Sequence, residues 1–71
     1  MMQRFKVTVK HCAGLHPDET YRIAVSDAEE ERSYFKIGLA KEKAKRKYAY
    51  KYNVLIKGQP AMACMKAEIV G

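Results

Sequence analysis

The chain begins with two segments in which apolar and polar residues alternate. Residues 3–12 place apolar side chains on one side and mostly basic side chains on the other, and residues 20–26 repeat the alternation. A period of two predicts β-strands with one buried and one solvated face. Glycine, proline and aspartate between the segments are typical turn residues, so the two strands are predicted to form an antiparallel hairpin. Its inward positions are Phe5, Val7, Val9, Tyr21, Ile23 and Val25.

The middle of the chain supports two interpretations. Ser26 followed by a run of acidic residues is typical of a helix start, because serine caps the first turn and carboxylates favour the positive end of the helix dipole. A helix over residues 27–47 would carry apolar residues on opposite sides, which favours self-association as a homodimer. In the other interpretation, residues 32–39 form a third strand, and a short helix of good helix formers covers about residues 40–47.

The end of the chain predicts a second hairpin. Residues 48–57 alternate again, Gly58–Pro60 form a turn, and residues 61–70 are apolar enough for a buried strand that places Ile69 in the core with Val54 and Ile56. The favoured fold class is α+β, with an N-terminal β-hairpin, one central helix and a C-terminal β-hairpin forming an antiparallel sheet. The alternative is a five-stranded OB-like barrel with a short helix before its fourth strand, which is similar to the OB-fold in element order.

The size of the chain limits what it can enclose. A length of 71 residues and a mass of 8.1 kDa predict a single domain, 1–71, close to the lower limit for folding without a disulfide or metal. No apolar run approaches the roughly 20 residues that span a bilayer, and no secretory signal pattern is visible. We therefore expect a cytoplasmic protein with no membrane partner, in which Cys12 and Cys64 are reduced thiols.

The residue pattern does not indicate an enzyme, a cofactor or a metal site. The sequence has no glycine-rich phosphate loop, and its acidic residues cluster in a run rather than as a separated catalytic pair. His11, Cys12 and His16 lie close together, but zinc sites commonly use closely spaced ligand pairs on both sides of a loop, and Cys64 stands alone.

The charge is concentrated in one segment. Residues 41–57 contain seven basic side chains and one acidic side chain, a net of +6 that equals the formal charge of the whole protein. Lysines four residues apart repel each other in a helix, and phosphates would relieve that repulsion and release counterions. Localised cations beside aromatic residues are typical of a nucleic-acid contact. The predicted nucleic-acid-binding residues are Lys41, Lys43, Lys45, Arg46, Lys47, Tyr48, Tyr50, Lys51 and Tyr52.

The tyrosines and the outer strand faces refine this prediction. Tyr48 is expected to be the most exposed of the three tyrosines and could stack on unpaired bases. Outward cations on the strands would extend the cluster into a groove or saddle; these are Lys6, Lys10, Arg22, Lys51 and Lys57. The sequence thus predicts a small non-enzymatic protein that binds DNA or RNA. The alternative is a protein-interaction module, such as a small inhibitor or regulator encoded by a phage or mobile element, that docks on a larger protein.

Overall fold

A three-stranded antiparallel sheet with one helix across one face forms the protein in the computed structural model, which describes residues 2–71. The first strand is central, with the second strand on one side and the last strand on the other. In chain order the elements are β1 (Met2–His11), β2 (Glu19–Ser26), α1 (Ser33–Tyr52), β3 (Leu55–Ile56), β4 (Gln59–Pro60), a short 3-10 helix (Met62–Cys64) and β5 (Met65–Val70).

The N-terminal hairpin is confirmed. Phe5 lies opposite Ile23 and Val7 lies opposite Tyr21 in the β1–β2 register. Val7 and the neighbouring inward valines are fully buried, and Gly14 allows the connecting loop to turn with a φ of 68°. The alternating pattern therefore identified both the strands and the face that packs against the helix.

The central helix is also confirmed, although its bounds differ from the prediction. It packs across β1, β2 and β5 through a row of residues spaced four apart, Lys36, Ala40, Ala44 and Tyr48. The alanines let the helix approach the sheet closely, since they have no side chain beyond Cβ. Residues 33–39 are helical and the sheet formed by the described residues is open, so the third-strand and barrel interpretations are wrong.

The helix begins at Ser33 rather than near residue 27. Ser26 and Glu29 do form the hydrogen bonds of a helix start, because the Ser26 amide donates to Glu29 Oε1 at 3.2 Å and the Glu29 amide donates to the Ser26 carbonyl oxygen at 3.1 Å. The chain leaves the helical conformation after this single turn, and Arg32 is extended with ψ 122°. The predicted helix start at Ser26 is therefore wrong, because its capping hydrogen bonds close a single turn.

The predicted C-terminal hairpin is wrong in its pairing. Residues 48–52 are the last turns of α1, which ends where Asn53 adopts a left-handed φ of 57°, and β5 pairs with β1 instead. A smaller hairpin of β3 and β4 turns at Lys57 and Gly58, one residue earlier than predicted, with φ values of 54° and 78°. Val54 is buried as expected. The core assignments of Ile56, 62% exposed, and Ile69, 38% exposed, are wrong.

Candidate nucleic-acid interface

Three of the six predicted cations on α1 are engaged in ion pairs within the described chain. Lys43 pairs with Glu29 and also donates to the Ala24 carbonyl oxygen at 3.3 Å. Arg46 pairs with Glu42 at 2.6 Å, and Lys51 pairs with Glu19 at 2.5 Å. The other three, all unpaired within residues 2–71, are Lys41, Lys45 and Lys47.

These ion pairs reduce the positive charge that the helix presents. The hydrogen bond from Lys51 lowers the pKa of the Glu19 carboxyl group, and a hydrogen bond from Tyr52 lowers it further. The hydrogen bond from Lys43 lowers the pKa of Glu29 in the same way. Both carboxylates are therefore charged at neutral pH and offset the positive charge of the lysines with which they pair.

The three tyrosines of the cluster have different environments. Tyr48 is fully buried and its hydroxyl donates to the Pro17 carbonyl oxygen at 2.8 Å, so the expectation that it is the most exposed is wrong. Tyr52 is half-buried, donates to Glu19 Oε2 at 2.9 Å and stacks on His16 with ring centroids 5.1 Å apart. Tyr50 is 60% exposed and is the member of this group that could stack on a base.

A second cationic surface lies on the side of the sheet that α1 does not cover. We call it the open sheet face. Alternation along the strands sends Val7 and Val9 toward the helix and the even-numbered residues of β1 to the opposite side. Its cations are Arg4, Lys6, Lys10, Arg22 and Lys66, all of them exposed, and none forms an ion pair with another described residue.

Four of these cations face each other in pairs across neighbouring strands. Lys6 lies opposite Arg22, and Lys10 lies opposite Lys66. Like charges directly opposite each other destabilise a sheet. The two rows are four residues apart along β1, which is about 13 Å at the rise of a strand. The open sheet face therefore holds two cationic rows whose repulsion an anion would relieve.

The row between the two cationic rows is neutral or acidic. Thr8 lies opposite Thr20 on one side and opposite Glu68 on the other. The threonine hydroxyl groups share a hydrogen bond of 2.9 Å. Among the described residues, Glu68 is the acidic residue of this face. It forms no ion pair with a neighbouring cation of the described chain.

One end of the open sheet face contains a shallow hollow of about 290 Å³. Arg4, Phe5, Lys6 and Arg22 line it, and these four include three cations and no acid. Arginine guanidinium groups bind phosphate oxygens through two parallel hydrogen bonds. Most of the exposed lining of the hollow is apolar, so its three cations would meet a phosphate at the margin of the hollow rather than inside it.

The two cationic surfaces do not merge. Lys51 is on α1 and Lys57 is at the β3–β4 turn, so neither extends the open sheet face and the expected continuous saddle is wrong. Lys6 and Arg22 do adjoin, and Lys10 lies on the same face in the second row, opposite Lys66. Sequence reasoning missed Arg4 and Lys66, although the even-numbered alternation of β1 and β5 would have placed both on the outer side.

The histidine and cysteine residues do not assemble a metal site in the described chain. The rings of His11 and His16 meet edge to face at 5.1 Å, and His11 Nδ1 accepts a hydrogen bond from the Ala13 amide at 3.2 Å. Cys12 and Cys64 lie side by side, with the Cys12 amide donating to the Cys64 carbonyl oxygen at 2.9 Å, and both are free thiols. Residues 2–71 contain no group of three or more histidine, cysteine or acidic side chains placed to hold a metal.

Comparison with known proteins gives no match, whether the chain is set against protein-family models, curated proteins or solved structures. Within residues 2–71, no helix combines the length and apolar character that crossing a bilayer requires. The surfaces of this chain are therefore the basis for inferring its function.

Proposed function

We propose that this protein is a small, non-enzymatic nucleic-acid-binding protein that contacts the phosphate backbone. The observation that carries the proposal is the open sheet face, where five exposed cations have no carboxylate partner among the described residues and a single glutamate opposes them. Phosphates would relieve the repulsion between the opposed cations and release counterions on binding. Five phosphate contacts correspond to a log–log salt slope near −4.

The helix supplies a second, weaker contact surface in this proposal. Lys41, Lys45 and Lys47 are unpaired within residues 2–71, and Tyr50 is exposed beside Arg46 in a shallow hollow. The remaining predicted cations would each have to leave a carboxylate before contacting a phosphate, which lowers their net contribution. Buried Tyr48 is left out of the proposed contact surface.

Fluorescence polarisation with labelled DNA and RNA oligonucleotides between low and physiological salt tests the proposal. Two matched triple variants separate the surfaces, because each removes three lysines that have no ion pair in the described chain. They are Lys6→Gln/Lys10→Gln/Lys66→Gln on the open sheet face and Lys41→Gln/Lys45→Gln/Lys47→Gln on α1. We expect the first to weaken binding by more than about tenfold and to flatten the salt slope by about 2.7, and the second to have the smaller effect.

Two results would overturn parts of the proposal. Failure of the wild-type protein to bind DNA or RNA at low salt would remove the nucleic-acid function altogether. If the helix variant weakens binding more than the sheet variant does, α1 rather than the open sheet face is the main contact surface. Thermal melting of both variants checks that neither effect comes from unfolding.

A second candidate function is suggested by an apolar patch at the start of α1. Tyr34 is 77% exposed, Phe35 is 48% exposed and Ile37 is 36% exposed, and the first two rings are 5.4 Å apart. Exposed clusters of large apolar side chains are typical of protein-interaction sites. We propose that this patch binds a protein, with a second copy of the chain as the simplest partner and a larger protein as the alternative.

Sedimentation equilibrium and a pull-down treated with nuclease test this second candidate. We expect Ile37→Ser to shift a dimer toward monomer, whereas Ile56→Ser, on another exposed isoleucine, should leave the dimer intact. If the wild-type protein is monomeric, a protein partner should survive nuclease treatment and be lost with Ile37→Ser. A monomer that retains no protein after nuclease treatment would remove this candidate.

A further inference from the structure

We infer that the ligand of the open sheet face is double-stranded nucleic acid, DNA or RNA, held by its phosphates without base recognition. The inference depends on the proposed nucleic-acid binding and specifies its substrate. It follows from three properties of the same surface: the side chains it lacks, its width and its charge layout.

Among the residues described, the outward positions of the open sheet face carry no aromatic side chain, and Phe5, which borders the hollow at one end, is only 9% exposed. Phe5 and Tyr21 are on the helix side of the sheet, and the other five aromatic residues are all on α1. Proteins that bind single strands commonly stack unpaired bases on exposed aromatic rings, including rings on sheet surfaces. Without such rings, this face offers single strands only electrostatic attraction.

The sheet is also too broad to read bases in a groove. Three strands about 4.8 Å apart place the outer strand axes roughly 10 Å from each other before side chains are added. The major groove of B-form DNA is about 12 Å wide and admits one helix or a two-stranded ribbon. The open sheet face would therefore lie across the backbones rather than enter the groove.

The charge layout fits two phosphate rows better than one. The cationic rows of Lys6 with Arg22 and Lys10 with Lys66 are separated by about 13 Å along β1. Glu68 lies in the row between them, where a phosphate would be repelled. The major groove of B-form DNA separates the two backbones by about 12 Å, so the glutamate would face that groove while both cationic rows meet phosphates.

Equilibrium anisotropy at one fixed salt concentration tests the inference. The probes are a DNA single strand, a DNA duplex and an RNA duplex of equal length, plus a second duplex of each kind with shuffled sequence. We expect at least one duplex type to bind about tenfold or more tightly than the single strand, with shuffled partners agreeing within about twofold. The two duplex arms distinguish DNA from RNA.

Two variants assign the duplex preference to this surface. Arg4→Gln/Arg22→Gln removes two of the cations around the hollow and should weaken duplex binding by about tenfold or more. Ile56→Ala changes an exposed side chain that belongs to neither cationic surface and should leave duplex binding unchanged. Thermal melting should show both variants folded as the wild type.

The possible results separate this inference from the function on which it depends. A single strand that binds as tightly as either duplex would overturn the duplex inference and leave nucleic-acid binding standing. A change in affinity of more than about tenfold on shuffling the duplex sequence would show that the protein recognises bases, contrary to the inference. A greater loss of duplex binding in Lys41→Gln/Lys45→Gln/Lys47→Gln than in Arg4→Gln/Arg22→Gln would place the duplex contact on α1. No binding to any probe would overturn the inference and the proposed function together.

Discussion

The Tyr48 hydroxyl group donates a hydrogen bond to the Pro17 carbonyl oxygen over 2.8 Å, which ties the last turns of α1 to the loop between β1 and β2. The tyrosine ring is fully buried and lies 4.8 Å from the ring of Tyr52. Burial raises the pKa of the Tyr48 hydroxyl group, so it stays protonated and able to donate. A residue that resembles a nucleic-acid contact in the sequence is therefore a part of the core.

Replacing Tyr48 separates its two contributions to stability. We expect Tyr48→Phe to lower the free energy of unfolding by about 0.5–1.5 kcal/mol, because the hydrogen bond to Pro17 is lost. Tyr48→Ala should cost about 3–5 kcal/mol, because the ring is removed as well. Urea denaturation measures both changes. Loss of nucleic-acid binding in a stably folded Tyr48→Phe would show instead that the hydroxyl group contacts the ligand.

Two isoleucines test the extent of the core. Ile23 is 3% exposed and Ile56 is 62% exposed. We expect Ile23→Ala to lower the free energy of unfolding by about 2–5 kcal/mol, enough to unfold much of a domain this small. Ile56→Ala should change it by about 0.5 kcal/mol or less. Equal melting temperatures for the two variants would contradict this assignment of the core.

The buried cation of α1 gives a third prediction. Lys36 is 5% exposed and its ammonium group contacts Asp27. Asp27→Asn should lower the melting temperature, because the ammonium group stays buried after its carboxylate is removed. Lys36→Met should be closer to wild type or more stable, since it removes the buried charge and keeps similar bulk. A lower melting temperature for Lys36→Met than for Asp27→Asn would contradict the expected order.

Acid should destabilise the fold through four carboxylates. Hydrogen bonds from cationic side chains lower the pKa of Glu19, Asp27, Glu29 and Glu30 below their ordinary values of 4.5 for glutamate and 3.8 for aspartate. Because the folded pKa is the lower one, their stabilisation is present above about pH 4.5 and is lost as the pH falls through the folded values. Melting temperatures measured from pH 7 to pH 3 should therefore decrease below pH 4.5.

The variant Glu19→Gln is the control for that profile. It removes one of the four carboxylates, so its melting temperature should depend less on pH than that of the wild type. A melting temperature that stays constant to pH 3 in the wild type would show that these ion pairs do not stabilise the fold.

Glu68 should limit the affinity of the open sheet face. Glu68→Gln removes the carboxylate from a surface with five cations, so nucleic acid should bind severalfold more tightly at low salt, with the gain shrinking as salt increases. Glu31→Gln is the matched control, because Glu31 is exposed in the loop before α1. An equal gain in both variants would show that only the net charge of the protein matters.

The sequence predicted the strands of the first hairpin because one face of each is buried and the other is solvated. It misled at residues 48–52, where tyrosines at 48, 50 and 52 fit a strand. Positions 48 and 52 are also four apart, so the same pattern continues the helical row of Ala40 and Ala44. Over so short a segment, the two-residue period of a strand and the roughly four-residue spacing of a helix fit the same tyrosines. Only packing against the sheet distinguishes the two structures.

The candidate site shows a different limit of sequence reasoning. A charge run along the chain is visible at once, but the acids that neutralise it come from elsewhere, as Glu19 pairs with Lys51 and Glu29 pairs with Lys43. The cations of the open sheet face are distributed over three strands and adjoin only through pairing. The alternation showed the outward side of each strand, but the partner of β5 could not be predicted from it.

The central position of β1 has a consequence for how the chain folds. This strand is synthesised well before its second neighbour, residues 65–70, because β2 and α1 lie between them in the chain. Until then, one edge of β1 exposes unpaired amide and carbonyl groups that can pair with another chain. Contacts that close so long a loop also slow folding. We therefore expect a growing chain to form the β1–β2 hairpin only transiently and to become stable once residues 65–70 have left the ribosome and can pair with β1.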